Sequence, residues 1–332
     1  MSEQTFAVPK AARIPPFLPP LFGTAAAVCY AAAMSRDFEF GLGHFSPSSV
    51  FFLAAVVFCA LGCVLSLVYA ASFAGRTVYR ALPSPSPLSF FGAFLGAAMC
   101  VLIFMQNLLG YRTARAEEAR DAADGLIVAG PLSSVKLYLI AAVLGLFLAA
   151  ALLFPLLHKS RHAWYAVIAA LLGVLSVNIS MFAAYFDFSV PLNSPVRNFT
   201  TLTQGAVLLF LLGEARIALC EDPADLPPAF QYFSSAACAV FGIGIGGGGG
   251  VWQILRSFSF GSEILFKTPE PNLPASRLFL YAAIGCIAAD RLLHSDIRLL
   301  TKEEIAENRR KAKEEKEKKK NKPSAADGQI NI

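Results

Sequence analysis

Apolar and polar positions alternate along this chain in long blocks rather than in the short periods of a soluble amphipathic fold. Eight apolar runs, 16–34, 48–74, 88–110, 132–157, 163–188, 201–220, 229–252 and 278–293, are separated by polar or proline-rich connections. At 1.5 Å per residue, runs of this length match the hydrocarbon core of a bilayer. The pattern predicts an all-α, polytopic transmembrane bundle of about eight spans over 1–293, followed by a charged helical tail over 294–332.

The connections carry the expected punctuation. Pro83-Ser-Pro-Ser-Pro87 reads as a stiff extended linker, and Glu221 to Pro228 is acidic and proline-rich, so neither continues a helix. Arg112 to Asp124 mixes both signs of charge and predicts a prolongation of the third helix into water. The first run follows Lys10 and Arg13 and ends near Ala31-Ala32-Ala33, which could be read as a cleaved signal peptide; an uncleaved first span fits its length better. The last run is short, has Asp290-Arg291 in its final turn, and is expected to continue into an exposed helix over Ser295 to Lys320.

Composition agrees: 56% of residues are hydrophobic, 15% are charged, and the mean hydropathy is +0.56. The net charge of +5 belongs to the tail, because Arg309 to Lys322 holds nine Lys or Arg against three Glu, +6, leaving about −1 elsewhere. Such a tail suits anionic lipid headgroups or an acidic protein, and it lacks the interleaved aromatics of a nucleic-acid binder. The seven cysteines fall in or beside apolar runs and predict no disulfide framework. Cys59 and Cys63 share a helix face, as would His158 and His162, but neither pair has the further ligands a metal needs. No metal or cofactor is expected.

The segment from Trp164 to Cys220 reads as a hairpin of two spans, with Trp164 and Tyr165 at one interface and Tyr185, Phe186 and Phe188 at the other. Pro191 and Pro195 hold the connection out of helix. Asn178, Tyr185, Asp187, Asn193, Arg197 and Gln204 would form a polar mouth at its outer end, with Ser176 and Ser180 on the opposite face from Asn178. The alternative for Asn178 and Gln204 is plain hydrogen bonding between helices. Lys and Arg near the spans favour both termini in the cytoplasm, although Arg112, Arg115, Arg120 and Lys136 then face outward. The sixth and eighth spans both run inward in that topology. Glu214 or Arg216 is therefore expected within pairing distance of Asp290 or Arg291, since unpaired charges in the apolar slab are costly.

Glycines mark close helix approach: Gly92 and Gly96 in the third span, and Gly242, Gly246 and Gly250 in the seventh, each four apart. The unbroken run Gly246 to Gly250 weakens a helix, so a break lining a cavity is the competing expectation. It is no phosphate loop, having no Lys-Ser/Thr after it and no strand before it.

Tyr185-Phe186-Asp187, Pro191-Leu-Asn-Ser-Pro195 and Glu214-Ala-Arg216 together resemble a pattern in an uncharacterised family of multi-pass membrane proteins of Gram-positive anaerobic bacteria. The resemblance covers about a tenth of the chain and implies a plasma-membrane location, with no activity attached. No His-Glu-x-x-His or Gly-x-Ser-x-Gly occurs, which weighs against an enzyme. A sensor, scaffold or assembly component is the first reading, and a small-molecule or ion transporter or pore built on the glycine-rich seventh helix is the alternative.

Overall fold

A computed structural model describes residues 15–39, 44–74, 77–81, 86–124, 134–157, 164–185, 194–219, 228–260 and 273–300, with 303–304, 306–307 and 310. The helices are α1 (Leu18–Arg36), α2 (Val50–Phe73), α3 (Pro87–Ala123), α4 (Ser134–Leu157), α5 (Trp164–Tyr185), α6 (Pro195–Leu219), α7 (Pro228–Cys238), a π-helical segment (Ala239–Gly247), α8 (Gly248–Phe260) and α9 (Ala275–Leu293). Two short antiparallel ribbons join them: β1 (Phe38–Glu39) with β2 (His44–Phe45), and β3 (Thr77–Ala81) with β4 (Asp296–Leu299).

Helix starts follow capping chemistry. The Ser49 hydroxyl accepts from Phe52 N at 3.1 Å and donates to Asp37 at 2.6 Å, tying the start of α2 to the end of α1. Ser86 caps α3, with Pro87 next, where its missing N–H costs nothing. The same rule corrects the expected start of α6. Pro195 opens the helix instead of blocking it, and Arg197 and Asn198 lie in the first turn rather than in the connection.

α3 is 37 residues, about 55 Å at 1.5 Å per residue. This exceeds a hydrocarbon core of about 30 Å, and its final turns expose Arg112, Arg115, Glu117, Arg120, Asp121 and Asp124. The expected continuation of α9 into the tail does not occur. The helix stops at Leu293, and Asp296–Leu299 pairs with β3 in the register Thr77↔Leu299 and Tyr79↔Ile297. Asp-Ile-Arg-Leu alternates polar and apolar residues, a two-residue period that suits a strand and that the charge spacing of the tail obscured. Most of the basic tail, Lys10, Arg13, Arg76, Lys159 and Arg161 lie outside the described residues.

By length and composition, five helical stretches can cross a membrane: Leu18–Arg36, Val50–Phe73, Pro87–Ala123, Pro195–Leu219 and Pro228–Phe258. In α4 and α5 the residues whose side chains are described, Tyr138–Leu153 and Val167–Phe182, are apolar as well, and α9 carries Arg277, Asp290 and Arg291. Pro228–Phe258 is the axis of the bundle, 72% buried against 22–50% for the other four. It runs beyond the expected end at Trp252 without a break, and widens into π winding where the glycines begin.

That axis is clasped from two sides at backbone distance. A Cβ on Gly242 or Gly246 would lie 2.6 Å from Tyr281 O or 2.8 Å from Leu278 O of α9, and one on Gly248 would lie 2.5 Å from Ala27 O of α1. A Cβ on Gly250 would lie 3.0 Å from the Phe279 ring. α3 approaches α9 through Gly92, where an added Cβ would lie 2.7 Å from Ala283 O, and α4 through Gly96, where it would lie 2.7 Å from a Leu152 methyl. α5 in turn packs on α4 where Gly173 meets Leu148. Small residues allow this approach, which yields dispersion contact in place of a hydrophobic drive that lipid does not supply.

Aromatic contacts close the β1–β2 end, where Phe45 stacks on Phe52 at 4.1 Å and Tyr30 and Phe199 join them from α1 and α6. At the other end the buried Tyr69 hydroxyl donates to Pro15 O at 2.8 Å, linking α2 to the start of α1. Tyr69→Phe is expected to lower the unfolding free energy by about 1 kcal/mol, read by denaturant titration in micelles, since the hydrogen bond to Pro15 O is lost and packing is kept.

Candidate functional site

Polar side chains inside the bundle gather at two levels. The first lies beside the β3–β4 ribbon, where α9 ends and α3 and α7 begin. Adjacent residues on a helix point about 100° apart, so Asp290 and Arg291 reach different neighbours. Asp290 is fully buried and accepts from the Ser86 and Ser89 hydroxyls and from Ser86 N at 3.3 Å. Its carboxylate therefore sits at the positive end of α3, and His294 Nδ1, one turn along α9, is 2.7 Å away.

Arg291 turns to α6 and donates from Nε and Nη2 to the two oxygens of Glu214, each at 3.0 Å. Gln231 Nε2 of α7 adds a third bond to Glu214 at 3.0 Å. The structure thus brings together Glu214 and Arg291 of the four expected charges. Arg216 is exposed, because two residues beyond Glu214 place it on the opposite side of α6.

A cavity of about 40 Å³ adjoins the pair, walled by Ala93, Leu152, Phe210 and Ile287 with Ser89 at its polar edge, room for about one water molecule. Serine, histidine and aspartate do meet at this level, but in the wrong order for nucleophilic chemistry. A relay needs imidazole between serine and carboxylate, and here the carboxylate of Asp290 stands between them. Among the described residues no group of three or more His, Cys, Asp or Glu is placed to hold a metal ion.

The second level lies where α5 ends and α6 and α9 begin. The fully buried Gln204 donates from Nε2 to Tyr281 Oη at 3.0 Å and to Ser180 Oγ at 3.3 Å. Arg277 Nη1 donates to the same Ser180 oxygen at 3.1 Å. The adjacent Ser276, about 100° around α9 from Arg277, donates to Gln106 of α3 at 2.8 Å.

This cluster overlaps the expected polar mouth only in part. Gln204 belongs to it, and Arg197 is buried two turns away on the same face of α6. Asn178 does not, because α5 turns Ser180 toward Gln204 and Tyr281, and a residue two positions earlier then faces away. Tyr185 is the last residue of α5, its side chain outside the described residues, as are Asp187 and Asn193. Arg277 and Tyr281 were not anticipated. Their i,i+4 spacing at the start of α9 puts a cation and a phenol on one face, a signal the sequence does contain.

No protein-family model matches the chain, and no curated protein or solved structure matches it either. What the fold defines is a class: a helical, membrane-embedded protein with five clear candidate spans.

Proposed function

We propose that the protein is a non-enzymatic sensor, scaffold or assembly component of a bacterial plasma membrane, crossing it eight times with both termini in the cytoplasm. The observation that supports this reading is the packed axis: Gly242 and Gly246 lie against the backbone of α9, and Gly248 against that of α1. Eight crossings are supported by α4, α5 and α9 at 24, 22 and 19 residues, each at or near the length a span requires. The plasma-membrane assignment rests on the resemblance to membrane proteins of Gram-positive anaerobes, and the orientation on the Lys and Arg bias of the connections.

The basic tail, Arg309 to Lys322, would rest on anionic headgroups or an acidic partner, each surface Lys or Arg contributing about 1 kcal/mol. The alternative, a transporter or pore along Gly242 to Gly250, would need water where α1 and α9 now touch the axis. Vesicles carrying the full-length protein are expected to be no more permeable to small ions and polar solutes than protein-free vesicles; a protein-dependent flux would favour the transporter. Tags at the two termini should be accessible from one side only, and the same side.

A further inference from the structure

The half-buried Arg277 is balanced differently from the other interior charges. Arg291 has Glu214, and Asp290 has two serines, a backbone N–H and His294. Arg277 has one contact among the described residues, Nη1 to Ser180 Oγ, and no carboxylate within ion-pairing distance. A guanidinium carries five N–H donors, so most of its capacity is left over. The residue also stands in the first turn of α9, where the helix dipole adds positive potential rather than offsetting it.

Beside it the fully buried Gln204 spends its amide nitrogen on Tyr281 and Ser180, while its Oε1 accepts nothing. Ser180 Oγ bridges the two, 3.1 Å from the guanidinium and 3.3 Å from the amide. The cluster therefore offers a cation with spare donors and, linked to it through Ser180 Oγ, a buried amide whose oxygen has no partner. An ordinary chloride satisfies only the first. A phosphate-type oxyanion that also bears an O–H satisfies both.

We propose that Arg277, Ser180 and Gln204 form a binding site for a hydroxyl-bearing phosphate group, supplied either by free inorganic phosphate or by a phosphoglycerol lipid headgroup. Charge-assisted, forked contact to the phosphate oxygens comes from Arg277, and the group's O–H donates to Gln204 Oε1. This site is independent of whether the bundle signals or transports.

The test uses the full-length protein, delipidated in a phosphate-free sugar detergent, with binding read by calorimetry and by the unfolding temperature. Inorganic phosphate and phosphatidylglycerol are added separately, with phosphatidylcholine, which lacks the hydroxyl, as the control. Saturable binding of phosphate assigns the site to a solute, and saturable binding of phosphatidylglycerol alone assigns it to lipid. In either case Arg277→Gln is expected to weaken binding by at least about tenfold, with Arg277→Lys intermediate and the exposed Arg216→Gln unchanged. Gln204→Glu places a carboxylate beside Arg277 and should abolish binding while raising the unfolding temperature without ligand, which decides the matter if Arg277→Gln does not fold. Binding of neither probe, equal binding of phosphatidylcholine, or wild-type affinity in Gln204→Glu would overturn the assignment.

Discussion

Methionine in place of Arg291, with Glu214 retained, is expected to destabilise the bundle by about 3–5 kcal/mol, the usual result of leaving one member of a buried ion pair alone. The Arg291 side chain is 4% exposed and that of Glu214 17%, so water screens little of the charge left behind. Gln231 would be its remaining partner, and a single amide cannot replace a forked guanidinium. Replacing both residues, Glu214→Leu with Arg291→Met, should recover most of the loss, since apolar side chains of similar volume often substitute for a buried pair at little net cost. Denaturant unfolding in micelles of the single and double variants reads the difference. Equal losses in the two would mean that the pair does not hold α6 to α9.

The second large effect concerns the axis. Gly242→Ala puts a methyl group 2.6 Å from Tyr281 O and 3.0 Å from Gly285 Cα, both backbone atoms that cannot swing aside. α9 must move away from the π segment, and overpacking of this kind costs about 1–3 kcal/mol, more than the roughly 1 kcal/mol that alanine returns in helix propensity. Gly242→Leu is expected to prevent recovery of a monodisperse folded protein altogether. The control is Gly205→Ala, where nothing lies within 4 Å of the added carbon. It should hold or raise stability by up to about 1 kcal/mol. A Gly242→Ala protein as stable as wild type would show that the seam is looser than these distances imply.

The two levels of polar residues differ in how far they could be read in advance. Glu214 and Arg291 sit near the ends of spans expected to run in the same direction, so depth alone predicted their meeting. Asp290 was grouped with them for the same reason, yet it turns to Ser86 and Ser89, across a gap of about 200 positions. Which of two adjacent charges faces which neighbour depends on the rotation of α9 about its own axis. No local pattern encodes that rotation. α5 makes the same point: Asn178 and Ser180 are both plausible inward residues, and the packing of Gly173 against Leu148 accompanies the rotation that turns Ser180 inward.

Local rules also misled where they were applied without their context. A proline reads as a stop, but at Pro195 it occupies the first turn of α6, the one helical position where its missing donor is harmless. A charged tail reads as one helix running on from α9, and residues 303–304, 306–307 and 310 are helical, but Asp296–Leu299 joins β3, a partner more than 200 positions earlier in the chain.

From the sequence alone came the helical, membrane-suited character of the chain, the long charged arm of α3, and the positions where backbones could touch. Each is dictated by residues within a turn or two of one another: apolar content over a span's length, charge beside it, and the absence of a Cβ. The tertiary structure alone decided the rest. It placed the glycine helix at the axis, turned Asp290 and Arg291 to separate partners, paired β4 with β3, and set Arg277 beside Gln204. Those outcomes depend on how each helix is rotated and which helices become neighbours, and both are settled by mutual packing of distant surfaces rather than by any stretch of chain on its own.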